Sequence, residues 1–269
     1  MNEYDKALHM VHDALAQMKE TGGGKDLRAS RASLARLAAA KPPRRIVAPP
    51  PSAPPPPRKD TGEKAARMAA LRERALVCVK CPNLVKSRTQ VVFGVGNIDA
   101  ELMFVGEAPG ADEDLQGEPF VGRAGQLLTK IIEAMGFRRS DVYIGNVLKC
   151  RPDMPEGESG NRKPRPDEME TCLPYLVEQI GIIQPRAMVA LGATAMQGLT
   201  GSEESMGRLR GHWHEFKGIP LMATYHPAYL LRNQSNTEKR KVWEDMLLVL
   251  EKLGKPISEK QRGYFLSKG

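Results

Sequence analysis

Five carboxylates crowd one turn of a basic chain. In VGEAPGADEDLQGEPFVGRAG, residues 105–125, Glu107, Asp112, Glu113, Asp114 and Glu118 fall within twelve positions. The apolar residues Leu102, Met103, Phe104 and Val105 before them read as a buried strand, so the acids are delivered together at a strand end. Carboxylates placed this way can orient a water or favour a developing positive charge. The plainer alternative is that they cap the helix that follows, because acids favour helix N-termini. Cysteines form the second group. Cys78 and Cys81 make a C-x-x-C followed by Pro82; Cys150 stands 69 positions further on and Cys172 another 22. A C-x-x-C pair sets two thiolates close enough for one metal or cluster, and two more brought in by the fold complete four ligands. Buried thiols and a four-cysteine zinc site are the competing readings. Ligands this widely spread suit a cluster that staples the edge of a larger domain better than a self-contained zinc ribbon.

The elements that must position these groups follow from hydrophobic patterning. ELMFVG, VYIGNVLK, AMVALG and IPLMATY are short apolar runs bounded by turn residues, and they read as core strands. Amphipathic segments alternate with them. In GQLLTKIIEAMG, Leu127, Leu128, Ile131, Ile132 and Met135 share a face, and PDEMETCLPYLVEQIG and NTEKRKVWEDMLLVLEKLG behave alike. Strands alternating with helices predict a three-layer α/β/α fold around a mostly parallel, four-stranded sheet. In such sheets ligands bind outside the carboxyl ends of the strands. The acidic turn, GNVLKC and YHPAYLLR all lie there, so one site built from three loops is expected.

The chain has 269 residues, 40 basic against 32 acidic, and a formal charge of +8, a balance that favours a polyanionic partner. No apolar run approaches the length of a membrane span, and MNEYDKALHM lacks a signal-peptide core, so a cytoplasmic protein with no membrane partner is expected. The first 60 residues differ from the rest. They carry 11 basic and 6 acidic residues, an amphipathic stripe of Tyr4, Leu8, Val11, Leu15 and Met18, and the linker KPPRRIVAPPPSAPPPPRK. This composition predicts a disordered basic arm, a tether or a docking segment for DNA or a protein partner. The expected organisation is an arm over 1–63, a catalytic domain over 64–256 and a tail over 257–269.

GEAPGADED after a strand, PFVGRAG, NVLKCRP, GNRKPRPDEMETC and a late HPAYLLR, in this order and with four cysteines, resemble the family-4 uracil-DNA glycosylases. These are iron–sulfur members of the uracil-DNA glycosylase superfamily, and the likeness runs from about Cys78 to Leu250. The resemblance implies a monomeric, monofunctional hydrolase that removes uracil from single- and double-stranded DNA and leaves an abasic site. It also implies a 4Fe–4S cluster on Cys78, Cys81, Cys150 and Cys172. Glu107 would position the water, with Glu113 sharing the task; Ala108 would leave room for uracil and offer its amide. Phe120 would stack on the flipped base, Asn146 would select uracil, and His226 would hydrogen-bond the O2 that gains charge. Leu230 and Leu231 would wedge into the DNA gap and Arg232 would hold a phosphate. Three features depart from the pattern or qualify it: the arm is additional, the Cys150–Cys172 segment is longer by a stretch such as DMPEGES, and Ala108 excludes the branch that places a glutamine there before a catalytic aspartate. The covalently trapping relatives' GEQPG and Arg/His-rich loop are missing, so no covalent product is expected. A non-catalytic iron–sulfur nucleic-acid-binding module and a same-fold glycosylase for another deaminated base are the alternatives.

Overall fold

The computed structural model describes residues 61–155, 157 and 160–266; of the arm expected over 1–63, residues 1–60 lie outside them and residues 61–63 open a helix, Thr61–Leu76. Six strands form one sheet: β1 (Val95–Gly96), β2 (Leu102–Gly106), β3 (Tyr143–Asn146), β4 (Ala187–Leu191), β5 (Trp213–Phe216) and β6 (Ile219–Thr224), in the order β1-β3-β2-β4-β6-β5. The inner strands β3, β2, β4 and β6 run parallel. The expectation of four strands is therefore corrected to six, by an antiparallel edge strand on each side. β1 is two residues long, too short to leave an alternation in the sequence. β5 is the WHEF segment, which forms a hairpin with β6.

Every residue of β2 and β4 is buried, which is why these strands read as continuous apolar runs. Alternation still assigns the faces. Met103, Val105, Met188 and Ala190 join one core with the helices α1 (Thr61–Leu76), α5 (Pro166–Ile183) and α6 (Ala193–Thr200). Leu102, Phe104, Val189 and Leu191 join the other core with α4 (Arg123–Ala134) and α9 (Asn236–Leu253). The result is the expected α/β/α sandwich. Residues 257–266, expected as a tail, pack onto this second core: Ile257 and Tyr264 contact it, and the Trp243 indole donates to the Gln261 carbonyl at 2.5 Å. Among the described residues no helix is long and apolar enough to cross a membrane.

The inner strands end in register, and this brings the loops together. Gly106 pairs with Asn146, and Leu191 with Thr224. The ladder continues one step past the strands, with the Val147 and Leu148 amides donating to the Gly106 and Glu107 carbonyls, each at 3.0 Å.

Candidate active site

Glu107, Asn146 and His226 follow or end β2, β3 and β6, and Phe120 lies in the turn between α3 (Ala111–Gln116) and α4. The Phe120 and His226 rings lie 5.6 Å apart between centroids, tilted by 31°. Gly106 is the shared floor: a Cβ there would collide with both Asn146 Oδ1 and the edge of the Phe120 ring. A bare α-carbon at this point is therefore what lets the amide and the ring adjoin. Asn146 is 2 % exposed, and its Oδ1 has no hydrogen-bond partner. A buried acceptor left unpaired is costly, and here it is aimed beside an aromatic ring.

His226 caps helix α8 (Pro227–Arg232), its Nδ1 accepting from the Ala228 amide at 3.1 Å. The acceptor role of Nδ1 places the proton of a neutral ring on Nε2. Burial, reinforced by the positive field of Arg232, pulls the imidazole down to about 4, so it is neutral at pH 7. The ring is thus a neutral donor. Gly192, at φ +95°, leaves the space beside the His226 Cβ. Glu107 is largely enclosed; burial pushes its carboxyl up, against a hydrogen bond with Thr194 and the field of Lys163.

Two other acids of the opening stretch, Glu113 and Asp114, face backbone. Glu113 Oε1 accepts from the Val121 and Gly122 amides and Oε2 from the Gly110 amide, all at 3.0 Å. This is the capping alternative, extended to bind the start of α3 to the Phe120 turn. Buried Asp114 accepts from the Thr89 amide at 2.9 and 3.0 Å, tying the same segment to the chain after the cysteine loop. Phe120 itself adopts φ 56°, a left-handed conformation that is strained for a bulky residue. Arg139, which donates to the Pro119 carbonyl at 2.6 Å, holds it there, and Gly125, where a Cβ would strike the Phe120 carbonyl, makes room for it.

The two leucines expected as a wedge differ in exposure. Leu230 is 5 % exposed and packed into the fold. Leu231 is half-buried and Arg232 exposed. Ala108 packs its side chain on the cluster of Leu84, Val91, Leu148, Cys150 and Cys172.

The four cysteines are free thiols drawn from α1's end, the start of α2 (Pro82–Ser87), the segment after β3, and α5. Arg88 donates to Cys150 Sγ at 3.0 Å and, with its other nitrogen, to the Cys78 carbonyl at 2.8 Å. The Lys149 amide donates to Cys172 Sγ at 3.2 Å. Burial pushes the Cys81, Cys150 and Cys172 thiols up, the last to about 12, and neighbouring sulfurs add to the shift in each. The thiols therefore lie within one another's fields, although among the described residues no three His, Cys, Asp or Glu side chains are arranged to hold a single metal ion. Donors on the sulfurs suit thiolates, which such a wall holds deprotonated only against added positive charge. A second clamp secures the loop between Cys150 and Cys172. Arg162 pairs with Glu168 at 2.7 Å and with Asp153, and Asn83 donates to both acids. Sequence reading missed this network, although an Arg-rich stretch followed by the acidic start of a helix was its signal.

Fold and site together define an α/β protein in which Asn146, Phe120 and His226 gather at the carboxyl edge of its sheet. The model of the uracil DNA glycosylase superfamily matches residues 93–247, and the chain belongs to that superfamily. Within it, the chain is similar to the type-4 uracil-DNA glycosylase of Thermotoga maritima, 47% identical over 181 residues, 66% of this chain and 91% of the relative. Type-4 enzymes of Archaeoglobus fulgidus (44% identical; 62% of this chain, 87% of the relative) and Pyrobaculum aerophilum (47%; 58% and 80%) are similar as well. The chain is a member of the type-4 branch.

Proposed function

We infer that this chain hydrolyses the N-glycosidic bond of uracil in DNA and leaves an abasic site. The observation that carries the reading is the unpaired, buried Oδ1 of Asn146, set beside Phe120. Uracil offers N3–H as a donor and O4 as an acceptor, and an amide answers both. Reaching the bond requires extruding the nucleotide, which costs a few kcal/mol, and the Phe120 face recovers about 1–3 kcal/mol by stacking. As the C1′–N1 bond breaks, its electron pair passes to N1 and spreads to O2, while positive charge grows on the sugar. His226 Nε2–H donates to O2. A neutral donor suits this task, because protonating Nδ1 would turn a second N–H against the Ala228 amide. Water adds to C1′ and gives up a proton, and Glu107, with its raised affinity for protons, orients the water and receives it. Glu113 acts at one remove by holding the Phe120 turn.

Cys78, Cys81, Cys150 and Cys172 are the residues that would hold a 4Fe–4S cluster. The support is the four-thiol donor set, the donors from Arg88 and the Lys149 amide, and membership of the type-4 branch. Its part here is structural, fixing the ends of the loop between Cys150 and Cys172. Leu231 enters the gap in the DNA and Arg232 holds a phosphate. Residues 64–256 with the packed segment after them form the catalytic domain, which acts as a monomer in the cytoplasm, and residues 1–63 form an appendage that contacts DNA or a protein partner.

The test is a uracil-containing oligonucleotide incubated with the protein and then treated with alkali. Strand breakage at uracil is expected. Breakage only at another deaminated base, or tight DNA binding without breakage, overturns the reading in favour of one of the two alternatives.

A further inference from the structure

Lys149 is 2 % exposed, and nothing in the chemistry described above uses its side chain. Burying an ammonium is expensive unless it is held by partners, and a hydrophobic side chain of equal length would fill the same space without that cost. The partners are specific. Nζ donates to the main-chain carbonyl of Asn146 at 3.0 Å and to Gln179 Oε1 at 2.5 Å. Gln179 in turn donates from Nε2 to the Tyr143 hydroxyl at 2.9 Å and the Phe93 carbonyl at 3.0 Å. Tyr143 opens the strand that Asn146 closes. Gln179 lies seven residues after Cys172 on α5, two turns along the same face. The Lys149 amide reaches Cys172 from the other end of the same residue.

We propose that Lys149 is a positioning residue for base recognition: its buried amine holds the Asn146 turn against the helix that carries Cys172. The inference rests on the reading of Asn146 as the uracil-selecting residue. The Val147 amide donates toward β2, to the Gly106 carbonyl at 3.0 Å, so the carbonyl of the same trans peptide, that of Asn146, faces away from β2. Lys149 satisfies that carbonyl and so fixes the angle from which Oδ1 meets the base. The anchor at the far end is α5, so the cysteine site and the pocket share one hydrogen-bonded bridge. A displacement of about 1 Å at a recognition group costs about a hundredfold in rate.

A double-mutant cycle on the full chain tests this, read as single-turnover uracil excision. Lys149→Met is expected to lower the rate by about 10- to 100-fold in the wild-type background. In the Asn146→Ala background the same change is expected to cost less than about threefold, because the group it positions is gone. An equal loss in both backgrounds overturns the inference, since a general structural defect does not depend on Asn146. Should Lys149→Met fail to fold, Gln179→Met removes the anchor without altering the neighbour of Cys150, and it is judged by the same two outcomes. An Asn146→Ala rate equal to wild type overturns the base-reading assignment, and this inference with it.

Discussion

Glu107 and Glu113 sit six residues apart in one acidic run, and replacing each by glutamine separates their tasks. Glu113 accepts three backbone hydrogen bonds, two at Oε1 and one at Oε2. A glutamine can accept at only one end. With its oxygen toward Val121 and Gly122, its NH2 meets the Gly110 N–H, donor against donor. One charge-assisted bond is lost, about 1.5–3 kcal/mol, and the other two fall to neutral strength, about 1 kcal/mol more. Glu113→Gln is therefore expected to destabilise the protein by about 3 kcal/mol. At a urea slope of about 2–3 kcal/mol/M, the unfolding midpoint falls by about 1–1.5 M. Excision slows as well, because the clamp no longer holds Phe120 in its left-handed conformation. Glu107→Gln makes no such change to a backbone clamp and is expected to keep its midpoint within about 0.3 M while losing at least a hundredfold in single-turnover rate. Urea unfolding followed by fluorescence, beside single-turnover kinetics, reads both. A Glu113→Gln protein with the wild-type midpoint and a rate as low as that of Glu107→Gln refutes the reasoning and places Glu113 on the water.

Asn146→Asp is expected to slow uracil excision by about a hundredfold, since a buried carboxylate cannot donate to O4, and unchanged kinetics would remove Asn146 from the pocket. Gly106→Ala puts a methyl group between Asn146 Oδ1 and the Phe120 ring, and is expected to lower uracil excision by more than about a hundredfold; a rate within threefold of wild type refutes the shared floor. His226 binds its proton more weakly in the fold, at about 4, than at its ordinary value of 6.5. The folded state thus holds fewer protons than the unfolded state in this interval, and the contribution is full above pH 6.5 and lost as pH falls toward 4, up to about 3 kcal/mol. Unfolding free energies measured between pH 4 and 7.5 check this, and a His226→Gln protein with the same acid loss refutes it. Chelation of iron, or Cys172→Ser, is expected to bleach a broad absorbance near about 400 nm; a colourless, zinc-loaded wild-type protein refutes the cluster.

The inner strands were legible because parallel strands buried on both faces must be apolar throughout, and ELMFVG and AMVALG are. The loops that carry Glu107, Asn146 and His226 were legible for a related reason: each follows such a run directly, and strand ends in one parallel sheet share an edge. The edge strands were not. Val95–Gly96 is too short to show a period, and its pairing depends on where Tyr143 happens to lie. Leu230 and Leu231 look alike in HPAYLLR, and only the packing of helix Pro227–Arg232 on helix Arg123–Ala134 buries the first and leaves the second half-exposed.

Local order therefore decided which residue types stand at which strand ends, and with them the fold class and the chemistry on offer. Tertiary structure alone decided what each polar group meets. Glu113 turns to three amides, Asn146 Oδ1 to none, and the Lys149 amine to a carbonyl three residues back and a glutamine thirty residues on. Hydrophobic periodicity is a property of a short segment, readable in isolation. A hydrogen bond belongs to two groups, and its second partner is supplied by whatever the fold brings alongside.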